Sequence, residues 1–148
     1  MMRSVFIAVA LLAFGLTSFA QIRKTPAAVS QAFEKQYPHA SKVQYEDNLL
    51  NVQVHFDSDS GRMTARYNSD GEWKESERKF DYESLSPDVK SGFDKSKYAT
   101  EWKVKETAII YLPNNEIRYR VKVEKNDLQK KYLFFDKNGR LIKDSLTI

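Results

Sequence analysis

The 148-residue chain contains no cysteine, so a disulfide framework and thiol catalysis are excluded and the fold must be held by its core. Histidine occurs only at His39 and His55, and no HExxH or comparable zinc-ligand spacing is present. Beyond the first twenty residues, glycine stands only at Gly61, Gly71, Gly92 and Gly139, so no glycine-rich phosphate cradle can form. Spacing alone leaves a Ser–His–Asp arrangement open, but no G-x-S-x-G turn accompanies it. Carboxylates are abundant yet scattered, and none marks an acid/base pair. Asp57 and Asp59 in "DSDSG" are spaced as in a calcium loop, but Arg62 and Asn68 stand where that loop needs glycine and a bidentate glutamate. A polar hairpin is the better reading. The formal net charge is only +4 with interspersed signs, which argues against a nucleic-acid footprint. These absences lead us to expect no enzyme, no cofactor and no metal site.

Long apolar runs are absent except near the start. Val5 to Leu16 follows Met1-Met2-Arg3 and precedes Thr17-Ser18-Phe19-Ala20. A basic start, an apolar stretch and small residues at Ser18 and Ala20 form the pattern of a secretory signal peptide over residues 1–20, cleaved after Ala20. An uncleaved anchor is the alternative, but the run is short of the roughly 20 residues a membrane helix needs. The expectation is a periplasmic or secreted protein with no membrane span after cleavage. Residues 21–148 suit one compact domain or two small fused halves.

Aromatic residues make up 13% of the chain, enough to build a core. Thr25-Pro26 reads as an N-cap followed by proline at the first helical position. Val29, Ala32, Phe33 and Tyr37 then recur at helical spacing until Pro38. Sixty residues on, Ser86-Pro87 repeats the start, and Val89, Phe93 and Tyr98 take the places of Val29, Phe33 and Tyr37. After each helix the period becomes two. Val52, Val54 and Phe56 alternate with polar residues, as do Ile117, Tyr119, Val121 and Val123. Both read as half-buried antiparallel strands. Weaker strands are expected around Val43–Tyr45 and Trp102–Thr107, and after each of two related turns, "YNSDGEW" (67–73) and "FDKNGRL" (135–141). Asp-Gly and Asn-Gly between strands favour turns in which glycine adopts a left-handed conformation. Ile109–Asn115 carries extra residues that lengthen a strand and turn it at Pro113-Asn114-Asn115. The fold class is therefore α+β: a tandem duplication of a helix packed on an antiparallel sheet, residues 21–85 and 86–148.

The helix "V…F…YP.A", the "V.V.F" strand, the "Y..DG.W" turn and a degenerate copy ending "FD.NG.L" resemble the PepSY-like, β-lactamase-inhibitor-like proteins of Gram-negative bacteria. The resemblance spans about Thr25 to Leu146 and rests on turn glycines, core aromatics and caps. It implies a small secreted or periplasmic protein of two PepSY-like repeats. Related domains occur in propeptides of secreted metallopeptidases, and β-lactamase inhibitor protein grips its enzyme with a concave sheet surface. No inhibitory loop matches residue by residue.

The strand pattern directs attention to the sheet face away from the helices. Arg62 and Arg66 fall there in the first unit, and Arg118, Arg120, Lys122, Lys130, Tyr132 and Phe134 in the second. Aromatics beside arginine have the composition of binding hot spots. These eight residues are the candidate site, either open to a partner or packed between the repeats. The expected function is a non-enzymatic module that binds an unidentified protein or peptide. The alternative is a small anionic ligand or envelope polymer on the same basic, aromatic face.

Overall fold

The computed structural model describes residues 24–147; the expected signal peptide and its cleavage site lie outside the described residues. A helix, α1 (Ala27–Gln36), is followed by four strands: β1 (Ser41–Asp47), β2 (Val52–Ser58), β3 (Gly61–Tyr67) and β4 (Trp73–Phe80). A short 3-10 turn at Tyr82–Ser84 leads to α2 (Pro87–Asp94), then β5 (Lys103–Leu112), β6 (Glu116–Asn126), β7 (Gln129–Phe135) and β8 (Leu141–Leu146). All eight strands form one antiparallel sheet in sequential order. The join is β4 on β5, from Ser76 opposite Tyr111 to Phe80 opposite Thr107. The segment that follows β4 therefore does not divide the sheet.

Helix starts differ from each other in a way the sequence concealed. At α2, Ser86 is the N-cap, its hydroxyl accepting from Val89 N at 3.4 Å, with Pro87 in the first turn. At α1 the boundary falls one residue later than expected. Pro26 itself is the cap, with ψ 133 and no side-chain cap bond, so Thr25 does not cap the helix. Tyr37 ends α1 with φ −128, as its position before Pro38 requires.

Each helix lays two apolar residues on the sheet. Val29 and Phe33 pack with Val52, Val54, Phe56, Met63, Ala65 and Tyr67. Val89 and Phe93 pack with Val121, Val123, Leu133 and Phe135. The register Met63–Arg78–Ile109–Tyr119–Phe135 runs straight across β3 to β7, so both clusters lie on the same sheet face. Burying each large side chain contributes about 1.5–3 kcal/mol, which lets two modest cores hold a cysteine-free chain.

The paired turns share one bonding scheme. Asn68 N donates to Glu72 O and Gly71 N to Asn68 O; Asp136 N donates to Arg140 O and Gly139 N to Asp136 O. Gly71 has φ 89 and Gly139 φ 77, the left-handed region anticipated for both. The glycines serve a second purpose. A Cβ on Gly71 would lie 2.6 Å from the Ala28 carbonyl oxygen, and one on Gly139 would collide with the backbone of Asp88. Each turn thus touches a helix backbone directly. Ile109–Asn115 behaves as expected, giving long strands β5 and β6 joined by a 3-10 turn at Pro113–Asn115.

Candidate functional site on the open face of the sheet

Neither helix covers the second face of the sheet. Period-two alternation sends every other residue there, and register decides which of them meet. Across β5 to β8 the rows are Ala108–Arg120–Phe134–Lys143 and Glu106–Lys122–Tyr132–Ser145. Six of the eight expected residues, Arg118, Arg120, Lys122, Lys130, Tyr132 and Phe134, therefore share adjacent strands. Arg62 and Arg66 lie on β3, three strand spacings from β6, or roughly 14 Å away. They belong to the same face but not to the same contact patch.

The face is less basic than its β6 and β7 sequences indicate. Strand β4 contributes Glu75 and Glu77, and β5 contributes Glu106. Arg66 pairs with Glu75 at 2.5 Å. Arg120 makes a two-pronged contact with Glu77 at 2.6 and 2.7 Å and reaches Glu106 at 3.0 Å. Lys79 also binds Glu106, at 2.6 Å. Arg62 pairs with Asp57 at 3.1 Å, Arg118 with Glu116 at 2.7 Å, and Lys130 with Glu124 at 3.5 Å. Among the described residues, Lys122 alone of the expected cations makes no ion pair.

The Arg120 network is the most enclosed of these, with side-chain exposures of 15% for Arg120, 20% for Glu77 and 26% for Glu106. Partial burial pushes the Glu106 carboxyl up, but Lys79 and Arg120 outweigh it and hold it below its ordinary range. Beneath the network Ala108 and Ile110 are buried although they face away from the helices. Above it the Tyr132 ring sits 4.5 Å from the Arg120 guanidinium, a cation–π contact. Tyr132 and Phe134 are half-buried, leaning on this charged platform. The arrangement orients aromatic surface; it contains no nucleophile–base pair.

The histidines play other parts. His39 is exposed in the loop after α1. His55 lies on the open face between Thr64, at 2.9 Å, and Glu46, at 3.3 Å. Among the described residues no group of three His, Asp or Glu side chains is placed to hold a metal ion. The sequence reading missed Glu75, Glu77 and Glu106. The signal was the alternation in "WKESERKF", which puts Glu75, Glu77 and Lys79 on one side.

The fold recurs in solved structures. A DUF2874 family protein from Bacteroides ovatus is similar with a TM-score of 0.74 over 83% of this chain and 88% of its own, at 23% identity. A BLIP-like protein from Bacteroides fragilis gives 0.72 over 81% and 84%, at 24% identity. A Bacteroides eggerthii protein described as "putative periplasmic" gives 0.71 over 83% and 89%, at 17% identity. At such identities the likeness concerns the fold. No curated protein matches the chain. The family described as "Putative beta-lactamase-inhibitor-like, PepSY-like" matches residues 50–143, more than half of the chain, from the tip of the β1–β2 turn into β8. The protein therefore belongs to the PepSY-like, β-lactamase-inhibitor-like family.

Proposed function

We propose that the protein is an exported, non-enzymatic module that holds a protein or peptide partner, such as an extracellular or periplasmic peptidase, on its open sheet face. The observation that carries this reading is Tyr132 seated on Arg120 beside Phe134, on a platform locked by ion pairs and covered by neither helix. Rigid, partly exposed aromatics next to arginine are the composition of hot spots, and fixed geometry lowers the ordering cost of binding. Arg118, Lys122 and Lys130 would flank the contact, with Arg62 and Arg66 at its far side. Membership in a family named for an enzyme inhibitor, and the name of the BLIP-like fold relative, favour a protein partner.

The scaffold is read as a tandem duplication, residues 21–85 and 86–148, because each unit runs helix then four strands and closes its third hairpin element with the same turn bonding. Export rests on the signal-like residues 1–20 and on the described location of the Bacteroides eggerthii protein. Among the described residues no helix is long and apolar enough to cross a membrane. An anionic ligand on this face draws less support, since Arg120 already carries two carboxylates.

The test is affinity capture from a periplasmic extract with wild type and a Tyr132→Ala/Phe134→Ala double variant, partners being identified by mass spectrometry. A partner weakened about 30-fold or more by the double variant, at unchanged thermal midpoint, is expected. An identical set of bound proteins would remove this face from the function.

A further inference from the structure

A cleft of about 480 Å³ opens between the end of α1, the β2–β3 turn and the β5–β6 hairpin. That volume lies within the range of ligand sites, roughly 300–1,000 Å³. Tyr37, Trp73 and Tyr111 supply three aromatic walls, with Met63 beside them. Tyr37 Oη donates to Ser76 Oγ at 2.6 Å, and Trp73 Nε1 donates to the same oxygen at 2.9 Å. Ser76 is fully buried, so one anchored hydroxyl fixes both rings. Such a wall is set before any ligand arrives.

The charge of the lining is one-sided. Among the described residues, Asp59 and Glu116 are its only charged side chains and no Lys, Arg or His lines it, although the chain is net basic. Glu116 is held by Arg118 at 2.7 Å. Asp59 makes no ion pair or hydrogen bond among the described residues, and stands exposed at the mouth. Arg78 is in register with Met63, but its guanidinium lies 5.6 Å from the ring of Phe80, further along β4 and away from Trp73.

We infer that this cleft receives a basic side chain, lysine or arginine, of a partner protein or peptide. Aromatic faces attract an ammonium or guanidinium group, apolar walls accept its aliphatic stem, and Asp59 supplies the counter-charge. An acidic side chain is repelled by Asp59, and an apolar one leaves that carboxylate unanswered. Met63, Tyr111 and Ile117 belong to the helix-facing register, so the cleft's aromatic wall lies on the other side of the sheet from Tyr132 and Phe134, and Glu116, in the opposite register at the strand end, joins its rim to Arg118. Its occupancy does not depend on the function proposed for that face.

The experiment is an NMR titration of the isotope-labelled protein with capped Gly-X-Gly peptides, X being Arg, Lys, Leu or Glu. The indole N–H signals of Trp73 and Trp102 are followed together. Saturable shifts at Trp73 but not Trp102 are expected for the Arg and Lys peptides, with Kd around the millimolar range. The Leu and Glu peptides are expected to bind at least about tenfold more weakly. Asp59→Asn, on an exposed turn, should weaken the Arg peptide about fivefold, and Asp59→Lys should shift preference to the Glu peptide. Equal binding of the Leu peptide, indifference to Asp59→Asn, or no saturable shift at all would overturn the inference. Trp73 shifts that grow with protein concentration alone would assign the cleft to a second copy, and would overturn it too.

Discussion

Replacing a glycine inside a helix with alanine ordinarily stabilises the helix by up to about 1 kcal/mol. For Gly92, inside the eight-residue helix α2, the expected sign is the opposite. A Cβ there would lie 2.7 Å from the carbonyl carbon of Gly139 and 3.1 Å from its Cα, with the carbonyl oxygen closer still. These are backbone atoms of the β7–β8 turn, which is held by Gly139 N donating to Asp136 O at 3.0 Å. No flexible side-chain tip is available to give way. Overpacking of this kind costs about 1–3 kcal/mol, sometimes more. Three backbone atoms in so close an approach place the cost in the upper part of that range, so after the gain in helix propensity Gly92→Ala should destabilise by about 1–2 kcal/mol. For a domain of this size that lowers the thermal midpoint by roughly 3–8 °C. Thermal and urea unfolding followed by circular dichroism measure it, with Ser91→Ala in the same helix as the control, expected to be neutral or slightly stabilising. A Gly92→Ala midpoint at or above wild type would refute the close approach of α2 to this turn.

Other expectations follow from the same geometry. Arg120→Ala strands Glu77 at a partly buried position, leaves Glu106 only Lys79, and should destabilise by about 1–3 kcal/mol, less than a fully buried pair; double-variant cycles with Glu77→Gln should reveal coupling, and additive effects would contradict the network. Asp144 accepts from Tyr98 Oη at 2.6 Å and Lys131 Nζ at 3.1 Å, and these bonds hold its carboxyl below the ordinary 3.8. A lowered folded-state value contributes stability above the unfolded one and loses it as pH falls, so the midpoint of wild type should drop more steeply below about pH 4 than that of Asp144→Asn. The Asp144 bond raises Lys131 above its ordinary 10.5, so that contribution is complete below this value and fades only as pH climbs past it. Ser86→Ala removes a cap and should cost about 1 kcal/mol, whereas Thr25→Ala should be nearly silent in the same unfolding assay; equal losses would contradict the assigned helix starts.

Much of the local structure was legible because its causes are local. The cap at Ser86, the end of α1 before Pro38, the alternation of Val52–Phe56 and Ile117–Val123, and the left-handed glycines at 71 and 139 each follow from a few neighbouring residues. The start of α1 was not, because proline suits either side of a helix boundary; the extended ψ of Pro26 places it outside. The candidate face was legible as a set of outward positions on single strands, without their partners. Glu77 and Arg120 stand 43 residues apart and meet only through the pairing of β4, β5 and β6.

By itself, the amino-acid order determined which residues form helices, strands and tight turns, and which side of each strand is apolar, since periodicity and backbone sterics act over a few residues. Tertiary structure alone decided that β4 joins β5 into one sheet, that carboxylates from those strands pair with Arg66 and Arg120 of the open face, and that Gly92 is needed for contact rather than tolerated. It also brought Tyr37, Trp73 and Ser76 together behind an acidic mouth. These features depend on register and approach between segments far apart in the chain, where no local pattern specifies the partner.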